Sequence, residues 1–245
     1  KEQGWDVSQD SNYKDIIYIN SHRGSLEKSD AVIKGYITFM DKASMLVARL
    51  VNPQPGERVL DCCAAPGGKS MYMAALMDNT GSLMSCDIHE HKIALMESNA
   101  QRLGISIVQT KVQDATELPS AWKSYFDRVL VDVPCSGLGI LQKKLDMRWR
   151  KDESSLSELP PLQLSILERA AMTVKEKGYL VYSTCTLNYK ENEDVVEAFL
   201  QKHKEFSIVP VGTDFPLKSN NGMITTYPPT DDMDGFFMVK MQRIS

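Results

Sequence analysis

From residue 58 onward, short runs of β-branched and aliphatic residues alternate with longer stretches whose apolar positions recur three and four apart. That is the rhythm of parallel strands joined by helices that cover both faces of one sheet. Strands are predicted over residues 58–62, 82–87, 105–111, 128–132 and 178–183, with a closing pair at 223–226 and 236–241. Helices are predicted over 42–50, 69–77, 89–103, 161–175 and 189–203, and Pro161 suits a first helical turn. The expected fold class is α/β, a doubly wound, seven-stranded, mostly parallel sheet. The first forty residues break the rhythm: apolar runs at 16–19 and 31–39 flank the polar stretch SHRGSLEKSD. They are read as a short N-terminal appendage (1–40) to a main domain (41–245), either the tail of an upstream domain or an extra strand pair packed beside the main fold.

The segment VLDCCAAPGGKS carries a strand into a small-residue loop and then a helix, the topology that places a ligand at the carboxyl edge of a sheet. Gly67 and Gly68 let backbone approach a ligand, and the open amides of the following helix favour a negative group such as a carboxylate. The GKS tripeptide invites a phosphate-loop reading, but that pattern needs glycine where Cys63 stands, and no GxGxxG occurs. Acidic residues then stand where successive strands end: Asp87, Asp114 and Asp132. A carboxylate after the second strand can accept both ribose hydroxyls, and one after the third can accept an adenine amino group. With the loop, the series describes an adenosine that bears an amino-acid tail, although any one Asp taken alone reads as a helix cap or turn residue.

Two cysteines share this edge. Cys135, in DVPCSGLG, follows the fourth strand, and Cys185, in STCTL, follows the fifth. A thiol has a specific use there. Carbon 5 of cytosine is too weak a nucleophile to attack a sulfonium methyl, whereas thiolate addition at carbon 6 makes the ring an enamine that can. A carboxylic acid bonded to N3, a role open to Asp132, would favour the addition, and a base must then take the carbon 5 proton. Cys86, inside a strand, and one of Cys62 and Cys63 read as small core hydrophobes.

Composition narrows the class. The 28 Lys and Arg residues against 32 Asp and Glu give a net charge of −4, which argues against nonspecific coating of nucleic acid. One local basic cluster remains: Lys143, Lys144, Arg148, Arg150 and Lys151 fall within nine residues around Trp149, a candidate RNA contact or a solvated loop. Five cysteines, an odd count set in apolar or glycine-rich runs, imply a reducing compartment. Neither CxxC nor HExxH occurs and the four histidines are scattered, so no metal is expected. No apolar run reaches the roughly 20 residues that span a bilayer, and the expectation is a cytoplasmic monomer. The chain opens on Lys1 instead of Met, so a preceding segment is expected.

These residues resemble the Sun (RsmB-type) RNA cytosine-5 methyltransferases of the NOL/NOP/Sun family, known for acting on small-subunit ribosomal RNA. The carriers are GYITFMDKASMLV, LDCCAAPGGKS, DVPCSGLG, MRWR, YSTCTLNYKENE and DGFFMVKMQR, over about residues 36 to 242. The resemblance implies a class I, Rossmann-like methyltransferase fold. It implies that Cys63, Ala64, Ala65, Pro66, Gly67, Gly68 and Lys69, with Asp87, Asp114 and Asp132, bind S-adenosyl-L-methionine. It further implies that Cys185 is the nucleophile and Cys135 assists release, with Asp132 and Lys69 in the catalytic group; DNA cytosine-5 methyltransferases use the Pro-Cys cysteine instead, which keeps Cys135 a competitor. Lys143, Lys144, Arg148, Trp149 and Arg150 are the candidate RNA contacts. Two other readings stay open from the residues alone: a methyltransferase of another substrate with structural cysteines, and a noncatalytic RNA-binding module.

Overall fold

A run that is apolar at every position can only be satisfied by cover on both sides, and the centre of this chain is built from such runs. The computed structural model describes residues 4–143, 153–212 and 215–245, with only the backbone of 153–156. An N-terminal hairpin of β1 (Asp6–Gln9) and β2 (Ile17–Ser21) is followed by the single turn α1 (Asp30–Ile33) and by α2 (Lys42–Val51). The main unit then alternates: β3 (Arg58–Asp61), α3 (Gly68–Leu76), β4 (Ser82–Asp87), α4 (Glu90–Arg102), β5 (Val108–Val112), β6 (Phe126–Asp132), α5 (Glu153–Ala171), β7 (Val174–Thr184), α6 (Glu193–Lys202), β8 (Phe206–Ile208), β9 (Met223–Thr225), α7 (Pro228–Asp231) and β10 (Phe237–Arg243).

The sheet order is β5-β4-β3-β6-β7-β10-β8, parallel from β5 through β7, with β10 antiparallel to β7. β8 and β9 share one edge of β10: β9 pairs with Phe237–Val239 and β8 with Met241–Arg243. The path therefore holds seven strands, but the short β8 takes the place expected for the 223–226 strand, which forms an eighth strand beside it. Strand alternation divides the core. Leu60, Val129, Val131, Leu180 and Tyr182 pack with α5 and α6 through Leu167, Val196 and Phe199. Their neighbours Val59, Leu130 and Val181 face Leu46, Val47 and Met73 of α2 and α3.

Three expected boundaries are corrected. Pro161 does not start a helix: α5 begins at Glu153, and Pro160 and Pro161 lie inside it. The expected strand at 178 begins at Val174, which pairs with Phe126 across a register shift, so the preceding helix stops at Ala171. The helix expected over 189–203 breaks into a 3-10 turn at Tyr189–Glu191 and α6, separated by Asn192 at φ −107°, ψ −94°.

The appendage is an antiparallel strand pair fastened to the main unit. Buried Asp10 accepts the Tyr18 hydroxyl at 2.6 Å and pairs with Lys42 of α2 at 3.0 Å. Arg49 of α2 pairs with Asp15 and donates to the Tyr72 hydroxyl of α3 at 2.8 Å. No helix among the described residues is long and apolar enough to cross a membrane.

Candidate active site

Parallel strands all end at the same edge, so residues just after β3, β4, β5, β6 and β7 converge. They wall a cleft of about 440 Å³ that takes in Cys63, Asp87, Asp114, Asp132, Cys135 and Cys185. That size is within the range of small-molecule and cofactor sites, roughly 300–1,000 Å³.

The loop after β3 is held by its neighbours: Cys62 N–H donates to the Leu130 carbonyl at 3.0 Å and Ala64 N–H to that of Cys86 at 2.7 Å. It turns into α3 through Gly67, at φ 100°, where a Cβ would stand 2.9 Å from Met96 Cγ. Only glycine meets both demands. The first-turn amides of α3 have no intrahelical acceptor and suit a carboxylate. Of the loop, Cys63 and Ala65 reach the cleft wall, while Ala64, Pro66, Gly67 and Gly68 shape the turn. Asp87 uses Oδ1 to accept His89 N–H at 3.0 Å, which starts α4, with Lys92 3.7 Å away. Asp114 likewise uses Oδ1 on the Thr116 amide and hydroxyl, at 2.8 and 2.7 Å. A loop of open amides followed by two spaced carboxylates fits an amino-acid carboxylate, a ribose and an exocyclic amine.

Deeper in, Lys69 Nζ meets Asp132 Oδ2 at 2.8 Å, and the Ser183 hydroxyl donates to Asp132 Oδ1 at 2.7 Å. Burial would push the Lys69 ammonium down, but the Asp132 carboxylate overrides it and the net shift is upward. The residue read as a neutral acid toward N3 is thus half of an ion pair, and the available proton rests on its Lys69 side. Beneath them, buried Asp61 accepts the Ser70 hydroxyl at 2.7 Å, and Ser85 donates to Ser70 at 2.8 Å.

Cys135 and Cys185 face each other with 3.1 Å between sulfurs, and Cys185 N–H points at Cys135 Sγ at 3.3 Å. The hydrogen bond to Cys185, with burial second, holds the Cys135 thiol well above its ordinary value. Cys135 is therefore held as a thiol, and either sulfur can donate across the 3.1 Å. Burial also lifts the Cys62 thiol, and pushes Cys86 up to about 12. Backbone contacts tie the two loops together: Gly139 N–H donates to the Cys185 carbonyl at 3.0 Å and Gly235 N–H to that of Gly139 at 2.9 Å.

The structure thus brings Cys63, Ala65, Asp87, Asp114, Asp132, Cys135 and Cys185 to one cleft, with Lys69 joined to it through Asp132, while Ala64, Pro66, Gly67 and Gly68 do not line it. Lys143 is different: its ammonium sits between Asp41 and Asp234, at 2.6 and 2.9 Å, on a side chain that stays 59% exposed. Lys144, Arg148, Trp149 and Arg150 lie outside the described residues. Sequence reasoning missed Asp61 and the buried polar group around Glu191, because a lone acid in a strand or in a helix-like pattern reads as a solvated position.

Known proteins are similar to this chain in sequence and in fold. A probable ribosomal RNA small subunit methyltransferase B of Bacillus subtilis is 40% identical over 227 residues, 90% of this chain and 51% of that protein. A human 28S rRNA (cytosine(4447)-C(5))-methyltransferase is 36% identical over 229 residues, 87% of this chain and 28% of that one. The chain spans about half the length of the bacterial relatives it matches. In three dimensions it superposes on NSun6 from Pyrococcus horikoshii with a TM-score of 0.82 at 29% identity, covering 91% of this chain and 57% of that one. The sequence model for the 16S rRNA methyltransferase RsmB/F group matches residues 48–242, which takes in the cofactor loop, the acidic series and both cleft cysteines, and the chain belongs to that family.

Proposed function

We propose that this chain is the catalytic unit of an enzyme that methylates carbon 5 of a cytosine in RNA, with small-subunit ribosomal RNA in the cytoplasm as its substrate. The observation that carries the reading is the pair of sulfurs, 3.1 Å apart in the cleft wall. S-adenosylmethionine, for which the residue 63–69 loop, Asp87 and Asp114 provide the binding groups, supplies the methyl group. NSun6 of P. horikoshii was solved with SFG, an S-adenosylmethionine analogue, which supports that choice of donor.

Cys185 is the nucleophile. Its thiolate adds to carbon 6 and forms the sulfur–carbon bond, while the electron pair of the 5,6 double bond moves into the ring as N3 takes a proton from the Lys69–Asp132 pair. Carbon 5 then takes the methyl group, whose bond to the sulfonium sulfur breaks so that S-adenosylhomocysteine leaves. Loss of the carbon 5 proton to a base restores the double bond and expels Cys185 as thiolate. Cys135, which holds its proton beside Cys185, protonates the departing sulfur, so it acts in release and not in attack. The base must leave its stack to reach the cleft, which favours a single-stranded or opened region. The basic run with Lys144, Arg148, Trp149 and Arg150 takes backbone phosphates and a stacked base.

Cys135→Ala separates addition from release. With cytosine-containing RNA and S-adenosylmethionine, the variant is expected to accumulate a covalent protein–RNA adduct that survives denaturing electrophoresis. No adduct above the native level would contradict the assignment of the two sulfurs.

A further inference from the structure

The two sulfurs sit on separate loops, one after β6 and one after β7, and 3.1 Å is a separation that loops hold only if something fixes both. Glu191 touches both. Its side chain is fully buried, and its carboxylate collects three donors. Oε2 accepts Ser136 N–H, one residue from Cys135, at 2.8 Å and Gln163 Nε2 at 2.9 Å. Oε1 accepts Asn188 Nδ2, three residues from Cys185, at 2.9 Å. Gln163 also donates to the Pro134 carbonyl at 3.0 Å, which grips the first loop on the other side of Cys135. The adjacent Asn192 brackets the second: its Oδ1 accepts the Thr184 hydroxyl at 2.6 Å, and its Nδ2 donates to the Thr186 carbonyl at 3.0 Å. The Tyr182 hydroxyl donates to the Glu191 carbonyl at 2.6 Å, which fixes the turn that carries the carboxylate.

We infer that Glu191 is a positioning residue that holds Cys135 and Cys185 in register by accepting hydrogen bonds from both of their loops. The inference rests on the proposed roles of the two cysteines. A buried carboxylate is costly unless its oxygens are filled by donors, and here the donors come from α5 and from both loops, so the burial is repaid only when those elements meet. Gln at this position keeps the shape but places an amide where Ser136 N–H, Gln163 Nε2 or Asn188 Nδ2 now donates. One loop must then shift.

The test compares native chain with Glu191→Gln by two readouts. The first is kcat and cofactor affinity in methylation of unmodified small-subunit ribosomal RNA. The second is thiol pairing in a glutathione buffer, in which two cysteine thiols lose their protons and pass two electrons to oxidised glutathione, giving a 135–185 disulfide and two reduced glutathiones. Mass spectrometry of peptides locates the link. The expected result is a kcat lower by on the order of 10- to 100-fold, cofactor affinity unchanged, and a pairing constant at least about tenfold lower. A general loss of structure would weaken cofactor binding in parallel. Native kcat and native pairing together, or lost activity with pairing unchanged, would overturn the inference. If Glu191→Gln does not fold, Asn188→Ala removes one of the three donors and is expected to move both readouts in the same direction by less; no movement overturns it equally. The pairing readout needs no methyl transfer, so an error in the assigned chemistry appears in Cys185→Ser activity while pairing in the Glu191 variant still judges the clamp.

Discussion

Asp61 lies at the floor of the site with 1% exposure, and its Oδ1 is one of two buried side-chain oxygens with no partner among the described residues. Burial raises its carboxyl to about 7. Between the ordinary carboxylate value of 3.8 and about 7, the native state holds a proton that the unfolded chain has released. Stability therefore declines as pH rises through that window and levels off above it. Asp61→Asn cannot ionise and keeps an acceptor for the Ser70 hydroxyl. Its stability relative to the native chain is expected to improve between pH 5 and pH 8 by on the order of 1–4 kcal/mol, read from urea unfolding at both values. A difference that does not change with pH would show that Asp61 is not protonated in the folded state. The same residue scale governs the cysteines: four of the five are held as thiols by burial or by a neighbour, and the partner of the raised Cys135 is Cys185.

At the scale of elements, the site depends on a close crossing of backbone. A Cβ at Gly139 would lie 1.8 Å from the Gly235 carbonyl oxygen, so the Cys135 loop and the entry to β10 can meet only through two glycines. Gly139→Ala must push them apart. It is expected to cost about 1–3 kcal/mol in thermal or urea unfolding and to lower methylation together with stability; native stability would contradict the crossing. This crossing was half legible in the sequence, where GLG and DGF stood out as motifs with nothing to say that they touch. The long elements were legible because periodicity reports burial directly: α2, β4 and β6 fall where their apolar patterns place them. The three-residue β8 carries too few positions for any period to show, and its partner β10 lies far along the chain. The end of α5 at Ala171 is set by pairing of Val174 with Phe126, a tertiary contact that overrides local propensity. Glu191 was illegible for a related reason: its donors come from residues 136, 163 and 188, which only the fold collects.

At the scale of the whole molecule, a parallel sheet does one thing for this chain: it delivers five strand ends to one edge, where Cys63, Asp87, Asp114, Cys135 and Cys185 wall one cleft. Helices on both faces make that edge rigid, and the hairpin of β1 and β2 is fastened to α2 and α3 by Asp10, Asp15 and Arg49. The chain is acidic overall, and Lys143 pairs with Asp41 and Asp234. The proposed function has this edge methylate cytosine through Cys185. Its most direct test is methyl incorporation from labelled S-adenosylmethionine into unmodified small-subunit ribosomal RNA by the native chain and by Cys185→Ser, with the product nucleoside identified. The expected result is 5-methylcytosine with the native chain and none with the variant. Methylation that persists in Cys185→Ser, or a labelled nucleoside other than 5-methylcytosine, would contradict it.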